Sequence, residues 1–201
     1  HALIGENGAG KSTIIKIISG VYTKDSGQVL LDGREMEFHA PKEAMDAGIR
    51  VIHQEINMVN TLTVAENIFL GSYPTTKRGS ISWKKMYAEA EKALDVLGDS
   101  IDVTQKVEKL SIAKQQMIEI AKALSVEPKV LIMDEPTAAL NDQETDQLFK
   151  LLESLKGRGV SIIYITHRLS EIYRLADRVT VLRDGENVAT VDVEQLDNDT
   201  I

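Results

Sequence analysis

The strongest constraint on the fold of this chain is a glycine-rich segment near its start, residues 5–12, with the sequence GENGAGKS. The segment fits the pattern G-x-x-x-x-G-K-[ST] at every fixed position. Gly5, Gly8 and Gly10 allow a tight turn whose backbone N–H groups point inward at an anion. An apolar run at residues 2–4 precedes the segment, and residues 13–18 follow it with a helical pattern. The sequence therefore predicts a strand, a phosphate-binding loop (P-loop) and a helix, in that order.

The residues of this loop combine a backbone cradle for phosphates with a charge and a metal ligand. Lys11 places a positive charge near the β- and γ-phosphates, and the hydroxyl of Ser12 can ligate Mg²⁺. The following helix presents its positive N-terminal end to the same place. A chance glycine-rich turn is the alternative, which the strand–loop–helix context disfavours. The predicted nucleotide-binding residues are Gly5, Glu6, Asn7, Gly8, Ala9, Gly10, Lys11, Ser12 and Thr13.

The composition excludes several classes of protein. The 201 residues suffice for one large domain, or for one domain with an inserted subdomain. No apolar run approaches the roughly 20 residues that span a bilayer. The absence of cysteine excludes disulfides and thiolate metal sites, and the net charge of −8 argues against a general nucleic-acid-binding surface. Because the sequence begins with His1 inside the first predicted strand, we expect a fragment truncated at its N-terminus.

Further along the chain, strand patterns alternate with helix patterns. This alternation predicts an α/β domain over residues 1–201 with a mainly parallel sheet and a small antiparallel part. Residues 57–126 are predicted to form an inserted helical subdomain. The other predicted elements are a hairpin at residues 27–33, a helix at 41–48, a strand at 49–53, a strand at 130–133, a helix at 145–156, strands at 160–165 and 179–182, and a hairpin at residues 184–185. In the helical region, apolar residues at helical spacing predict a packing face: Trp83, Met86, Tyr87, Ala90, Ala93, Leu94 and Leu97.

Two acidic residues, Asp134 and Glu135, follow the apolar strand predicted at residues 130–133. A buried strand that delivers two acids at its C-terminal end fits a P-loop site that hydrolyses a nucleotide. Asp134 would hold Mg²⁺ directly or through water, and Glu135 would orient or deprotonate the attacking water. An exposed acid pair at a strand end is the common alternative, but the P-loop upstream favours the catalytic interpretation.

Two further side chains at predicted strand ends are candidates for the same site. His167 follows the strand at residues 160–165 and Thr166, where it can donate a hydrogen bond to a γ-phosphate. Gln54 follows the strand at residues 49–53, where its amide can contact Mg²⁺ or the attacking water. Taken alone, each residue has an ordinary explanation as a helix-capping or packing histidine and as a surface glutamine.

Together these motifs resemble the nucleotide-binding domain of ATP-binding cassette (ABC) transporters, and the resemblance covers essentially the whole chain. It implies a P-loop NTPase fold, ATP and Mg²⁺ as ligands, and ATP hydrolysis. It also implies that Glu135, His167 and Gln54 are catalytic and that Ser12, Gln54 and Asp134 are metal ligands. The matching motifs are the Walker A at residues 5–13, the Q-loop at Gln54, the signature at residues 110–116, the Walker B aspartate and catalytic glutamate at residues 134–135, the D-loop at residues 138–141 and the switch histidine at His167.

Four sequence strings resemble, more narrowly, the N-terminal cassette of importers for monosaccharides of the ribose, galactose and xylose class. This resemblance implies that ATP hydrolysis powers sugar import, from a peripheral position at the cytoplasmic face of the cell membrane. The implied partners are a second cassette, C-terminal on the same full-length chain, membrane permease subunits and, indirectly, a sugar-binding protein, with no nucleic acid. The strings are GENGAGKST, HQEINMVNTLTVAENIFLG, LSIAKQQMIEIAKALS and IMDEPTAAL.

The chain departs from the ABC pattern at two places. Ile112 and Ala113 replace the two glycines of the signature LSGGQ, and Asn141 replaces the D-loop aspartate. In an ABC dimer the signature contacts the γ-phosphate that the other cassette binds, and a β-branched isoleucine restricts both its approach and its backbone. We therefore hypothesise that the assembled pair of cassettes has one strong and one weak ATP site.

Two other functions are alternatives. A soluble ABC ATPase of translation or DNA repair usually keeps the signature glycines and carries basic arms or long coiled-coil insertions, and the sequence shows none of these features. A non-hydrolysing regulatory module is disfavoured because Lys11, Asp134, Glu135 and His167 are all intact.

Overall fold

The computed structural model describes residues 1–95, 97 and 101–196, which divide into two compact units. The first unit comprises His1–Val51, Pro128–Glu135 and the described part of Lys156–Ile201, and the second comprises the described part of Ile52–Glu127 together with Pro136–Leu155. The strands are β1 (Ala2–Gly5), β2 (Val29–Leu31), β3 (Arg34–Met36), β4 (Ile49–Ile52), β5 (Val130–Asp134), β6 (Ser161–Ile165), β7 (Arg178–Arg183) and β8 (Glu186–Asp192). The α-helices are α1 (Lys11–Ile18), α2 (Pro41–Asp46), α3 (Val64–Ile68), α4 (Trp83–Asp95), α5 (Ile112–Leu124), α6 (Asp142–Gly157) and α7 (Leu169–Leu175), and short 3₁₀ turns lie at Val107–Lys109 and Val193–Gln195.

A six-stranded sheet organises the first unit, in the order β4-β5-β6-β1-β7-β8. Strand β1 pairs in parallel with both β6 and β7, and β5 pairs in parallel with β6. Strands β7 and β8 pair antiparallel, and their hairpin closes at Asp184-Gly185. The predicted α/β fold with a mainly parallel sheet is therefore confirmed, as is the small antiparallel part, a separate hairpin formed by β2 and β3.

The alternation of side chains along β1 explains why the sheet is covered on both faces. Leu3 belongs to an apolar cluster that includes Ile15 of α1, whereas Ala2 and Ile4 belong to a second cluster that includes Ile172 of α7. Because successive side chains of a strand point to opposite faces, each cluster lies on its own side of the sheet. A strand buried on both faces needs a continuous apolar sequence, and β1 has one.

The second unit contains the helices of the region predicted to form an inserted helical subdomain, residues 57–126. Helices α3, α4 and α5 pack against one another, and Met86, Ala90 and Leu94 form the buried stripe of α4. Helix does not extend through the whole region, because residues 70–82 contain Gly71, Pro74 and Gly79 and are not helical. The compact unit also includes Pro136–Leu155, so the predicted limits of an inserted subdomain at residues 57 and 126 stay a prediction.

Part of the predicted packing face on α4 is more exposed than its spacing indicates. Trp83 opens the helix and is 44% exposed, and its ring lies 6.0 Å from that of Tyr87. Helix α7 was not predicted, because its seven residues span only about two turns and include Ser170, Glu171 and Arg174. The other predicted strands, helices and hairpins occur within a few residues of their expected limits.

The helix that follows the P-loop ends in a tightly specified turn. The N–H of Val21 donates to the carbonyl of Lys16 over 2.8 Å, and the N–H of Gly20 donates to the carbonyl of Ile17 over 3.1 Å. This pair of bonds is a Schellman motif, which requires a left-handed residue, and Gly20 has φ of 73°. A Cβ at Gly20 would lie 2.6 Å from the carbonyl oxygen of Ala40. Both constraints select glycine at this position.

We expect Gly20→Ala to destabilise the protein by more than about 2 kcal/mol, because the left-handed conformation costs about 1–2 kcal/mol and the added methyl group collides with backbone. Gly27→Ala is the matched control, because Gly27 has φ of 82° but no atom within 4 Å of the added Cβ. The control should cost only about 1 kcal/mol. Urea unfolding of the complete protein measures both values, and equal losses would contradict the importance of the contact with Ala40.

A second stability prediction concerns Glu119 on α5. Burial raises the pKa of its carboxyl, which the N–H of Asn57 and the charge of Lys122 only partly offset. Its Oε1 accepts from the Asn57 N–H over 3.4 Å, and its Oε2 is buried without a hydrogen-bond partner in the described structure. A raised pKa means that the folded state binds the proton more tightly than the unfolded state. The resulting stability is present below the ordinary glutamate pKa of about 4.3 and is lost as pH rises through the folded pKa.

We therefore expect Glu119→Gln to raise the unfolding temperature at pH 7, because the amide carries no charge to desolvate. The difference from the unmodified protein should shrink as pH falls below about 4. Glu91→Gln, at an exposed position of α4, is the control and should change nothing at either pH. An unfolding temperature at pH 7 that Glu119→Gln leaves unchanged would show that the buried charge is already compensated.

Candidate active site

The P-loop is held as a rigid turn between β1 and α1. The N–H of Ala9 donates to the carbonyl of Glu6 over 3.1 Å, and the N–H of Gly185 donates to the carbonyl of Ala9 over 3.2 Å. The side chain of Ala9 is buried, whereas Glu6, Asn7 and Gly8 are exposed. The loop is therefore anchored from below by the β7–β8 turn, and its open side faces solvent.

The start of α1 leaves donors available for an anion. Its N-cap is Gly10, with φ of 101°, and no side chain caps the helix. No acidic residue lies in its first turn, where Lys11 is half-buried and Ser12 and Thr13 are exposed. Uncapped N–H groups at a helix N-terminus together with the helix dipole favour a bound phosphate.

The ammonium group of Lys11 is hydrogen-bonded to the backbone at the start of the loop. Its Nζ donates to the carbonyl of Gly5 over 2.6 Å and to the carbonyl of Glu6 over 3.0 Å. These bonds fix the positive charge beside the loop backbone. A cation held there adds to the attraction that the loop N–H groups exert on phosphate oxygens.

The two acids predicted to act in hydrolysis lie at the end of β5. Asp134 is its last residue and pairs in register with Ile165 of β6. Glu135 follows, and its N–H donates to the carbonyl of Ile165 over 2.9 Å. Both side chains are half-buried.

The backbone of Glu135 is strained. Three non-glycine residues of the described chain have a positive φ: Asp32, Asp184 and Glu135. The first two precede a glycine in hairpin turns, where this conformation is ordinary. Glu135, with φ of 47°, is in neither hairpin. Strain of this kind persists where surrounding structure enforces it and is concentrated at functional sites.

His167 lies beside Glu135. Its Nδ1 is 3.1 Å from Oε1 of Glu135, and the histidine side chain is 73% exposed while that of Glu135 is 23% exposed. A carboxylate oxygen only accepts hydrogen bonds, so this contact assigns the proton to Nδ1. The ring then offers Nε2 to solvent, as an acceptor when the imidazole is neutral and as a donor when it is protonated.

The sheet brings the P-loop, the acid pair and His167 to one edge of the first unit. Strands β1 and β5 both pair in parallel with β6, so the C-terminal ends of all three strands lie at the same side. Gln54 follows β4, is exposed and belongs to the second unit. Its predicted approach to Mg²⁺ or the attacking water stays a prediction.

The donor atoms at this edge fit a magnesium ion. Ser12 offers a hydroxyl oxygen and Asp134 a carboxylate. Mg²⁺ prefers oxygen ligands and is typically held by one or two carboxylates together with substrate phosphates. A site with few protein ligands beside a phosphate loop is therefore chemically consistent with this ion.

In the second unit, the signature segment forms the start of α5. Ser111 is the N-cap, and its Oγ accepts from the N–H of Lys114 over 3.3 Å. Ile112 and Ala113 are the first two residues of the helix, and Ile112 is 64% exposed. Isoleucine and alanine adopt a helical backbone without strain. Ile112 therefore imposes no strain on the backbone of α5. It differs from the signature glycine by the bulk of its side chain.

The start of α6 shows what Asn141 does. Its Oδ1 accepts from the N–H of Glu144 over 2.9 Å, and Oε2 of Glu144 accepts from the N–H of Asn141 over 2.9 Å. This is a reciprocal capping arrangement at the helix N-terminus. The sequence N-x-x-E indicates it, although we predicted the helix to begin only at residue 145.

A strand–P-loop–helix unit, with an acid pair at the end of a neighbouring parallel strand, defines the P-loop class of nucleotide-binding proteins. Within this class, the family model described as ABC transporter matches residues 1–138. The chain therefore belongs to the ABC transporter family. Among the described residues, no helix is long and apolar enough to cross a membrane.

Comparison with individual proteins supports this assignment. The chain is 50% identical over 202 residues to the ribose import ATP-binding protein RbsA of Geobacillus kaustophilus (strain HTA426). That alignment covers 100% of this chain but 41% of the relative, so the chain spans about two fifths of the relative's length. The ADP conformation of MJ1267, an ATP-binding cassette of an ABC transporter, has a TM-score of 0.81 and 28% identity and covers 96% of this chain and 80% of that one.

A more distant structure supports the fold. The dimeric post-hydrolysis state of the ATP-binding cassette MJ0796, bound to ADP and Pi, has a TM-score of 0.81 and 24% identity. The match covers 97% of this chain and 85% of that chain. The predicted P-loop NTPase fold is thereby confirmed.

We expect Asn141→Ala to destabilise the protein by about 1 kcal/mol, because it removes the cap of α6. Asn141→Asp should retain the stability, since aspartate caps as well as asparagine and favours the helix dipole. Urea unfolding, with hydrogen exchange in the first turn of α6, measures both effects. If the aspartate variant lost as much stability as the alanine variant, the capping role of residue 141 would be wrong.

Proposed function

We propose that this chain is the ATP-binding and ATP-hydrolysing cassette of a monosaccharide importer. The observation that carries the proposal is the meeting of the P-loop, the acid pair and His167 at one sheet edge, with Nδ1 of His167 3.1 Å from Glu135. The import of a sugar is supported by the 50% identity to a ribose import ATP-binding protein. That relative also disfavours a soluble ABC ATPase of translation or DNA repair.

The residues of the first unit have distinct tasks in this proposal. The P-loop N–H groups and Lys11 bind the β- and γ-phosphates of ATP, which leaves the γ-phosphorus open to attack. Ser12 and Asp134 would hold Mg²⁺, with Gln54 as a further ligand. When bound, the ion supplies charge neutralisation at the phosphate oxygens.

Glu135 orients the attacking water and accepts its proton as the oxygen bonds to the γ-phosphorus. The bond from the γ-phosphorus to the bridging oxygen breaks, and the products are ADP and inorganic phosphate. His167 fixes the Glu135 carboxylate through Nδ1 and presents Nε2 on its exposed side. A protonated ring can donate from Nε2 to the γ-phosphate, as predicted from its position after β6.

The length of the relative supports a proposal for the partners, because this chain corresponds to about two fifths of it. We propose that a second cassette completes the ATP site of this one and that the pair drives a membrane permease supplied by a sugar-binding protein. The cassette would then lie at the cytoplasmic face of the cell membrane. The exposed Ile112, in place of a signature glycine, would weaken the contact of this signature with the other cassette's ATP.

We expect Glu135→Gln in the complete transporter to lower ATP hydrolysis and sugar uptake at least about 100-fold, because loss of a general base typically costs that much. ATP binding should persist, since the P-loop is intact. Glu153→Gln, at an exposed position of α6, is the matched control. A loss of only half the activity would indicate two equivalent sites, and activity near the unmodified level would refute a catalytic role for Glu135.

A further inference from the structure

Glu171 is a buried carboxylate that the mechanism does not use. It lies in the first turn of α7 and is 5% exposed. Its Oε2 accepts from the hydroxyl of Tyr164 and from Oγ1 of Thr166, each over 2.9 Å. Its Oε1 accepts from the guanidinium of Arg168 over 3.4 Å. Burial of a carboxylate is costly unless such donors compensate it.

The donors to this carboxylate surround His167 in the chain. Thr166 immediately precedes His167, and Arg168 immediately follows it. Oγ1 of Thr166 also accepts from the N–H of Arg168 over 3.0 Å. The two residues flanking His167 are therefore bonded to each other and to Glu171, which closes a ring around the histidine backbone.

His167 depends on this ring because its own side chain has little support. It is 73% exposed, so packing does not restrict the orientation of its ring. Its Nδ1 contact with Glu135 therefore relies on where the backbone between β6 and α7 places it. Glu171 joins the end of β6, through Tyr164 and Thr166, to the start of α7.

We propose that Glu171 is a positioning residue for His167, a role that rests on the proposed function. Its carboxylate holds the segment from Thr166 to Arg168 so that Nδ1 of His167 meets Glu135. A misplacement of about 1 Å can cost up to 100-fold in rate. The alternative is that Glu171 only stabilises the fold by connecting β6 to α7. In that case its substitution would lower stability whether or not His167 is present.

Three substitutions in the complete transporter separate these roles. Glu171→Gln weakens the ring, and Thr166→Val removes the hydroxyl beside His167 while retaining shape. Tyr164→Phe removes the other hydroxyl that donates to Oε2 of Glu171, at a position farther from His167 in the chain. Glu194→Gln, at an exposed position of the first unit, is the control. The readouts are kcat and KM for ATP hydrolysis, with unfolding temperature measured in parallel.

We expect Glu171→Gln and Thr166→Val each to lower kcat about tenfold, with KM changed less than about twofold, because ATP binding uses the P-loop and not His167. Tyr164→Phe should lower kcat less than Thr166→Val, because it leaves the bonds of Thr166 to Glu171 and Arg168 in place. The control should leave kcat within about twofold. Equal loss of kcat in Tyr164→Phe and Thr166→Val, matched by equal falls in unfolding temperature, would overturn the proposal in favour of a structural tie.

The decisive test combines Glu171→Gln with His167→Ala. If Glu171 acts through His167, Glu171→Gln should change kcat less than about twofold in the His167→Ala background, since the effects of coupled residues are not additive. If the losses multiply instead, positioning is wrong and the proposed function still stands. If His167→Ala alone leaves kcat unchanged, the proposed role of His167 fails, and the positioning role fails with it.

Discussion

The candidate site depends on the parallel pairing of β6 with β1 on one side and with β5 on the other. Parallel neighbours end at the same edge, so three segments distant in sequence converge there. The P-loop follows β1, the acid pair ends β5, and His167 follows β6. A register shift in either pair would displace one of these segments along the strand direction relative to the other two. The burial of both faces of β1 fixes its register, because a shift by one residue would exchange Leu3 with Ala2 and Ile4 between the two apolar clusters.

The site also shows how rigidity is supplied to groups that must stay open to solvent. The P-loop is anchored through the buried Ala9 and the N–H of Gly185, while its other residues remain exposed. His167 is exposed in the same way, and its neighbours Thr166 and Arg168 carry the bonds that fix it. In both places, hydrogen bonds of neighbouring residues fix the position of an exposed residue that side-chain packing does not hold. Buried polar groups of this kind are satisfied, as their desolvation requires.

The main sheet and the P-loop could be predicted from the sequence because both depend on local patterns. Continuous apolar runs mark strands covered on both faces, and the loop has fixed glycine, lysine and serine positions. Helix α7 and the role of Glu171 could not be predicted, because a helix of about two turns is too short for its apolar spacing to be distinguished from chance. The sequence around a carboxylate also gives no indication of the hydroxyls that it will meet. The cap formed by Asn141 differs from these, because its N-x-x-E pattern is visible in the sequence and indicates the two reciprocal hydrogen bonds. The contact between His167 and Glu135 joins residues 32 positions apart, and the pairing of β5 with β6 brings them together.

The departures from the family pattern have different physical consequences, and the structure separates them. Asn141 retains the hydrogen-bonding function of an acidic cap, so α6 keeps its N-terminal cap without the aspartate of the family pattern. Ile112 and Ala113 occupy helical positions, so the loss of glycine imposes no backbone strain on α5. What changes is the surface, because Ile112 places a branched side chain, 64% exposed, at the N-terminal end of a helix. A helix N-terminus recognises phosphate by close approach of its N–H groups, and a side chain that holds a partner away weakens that attraction without altering the fold. The proposed asymmetry between the two ATP sites therefore requires only a steric effect at one exposed residue.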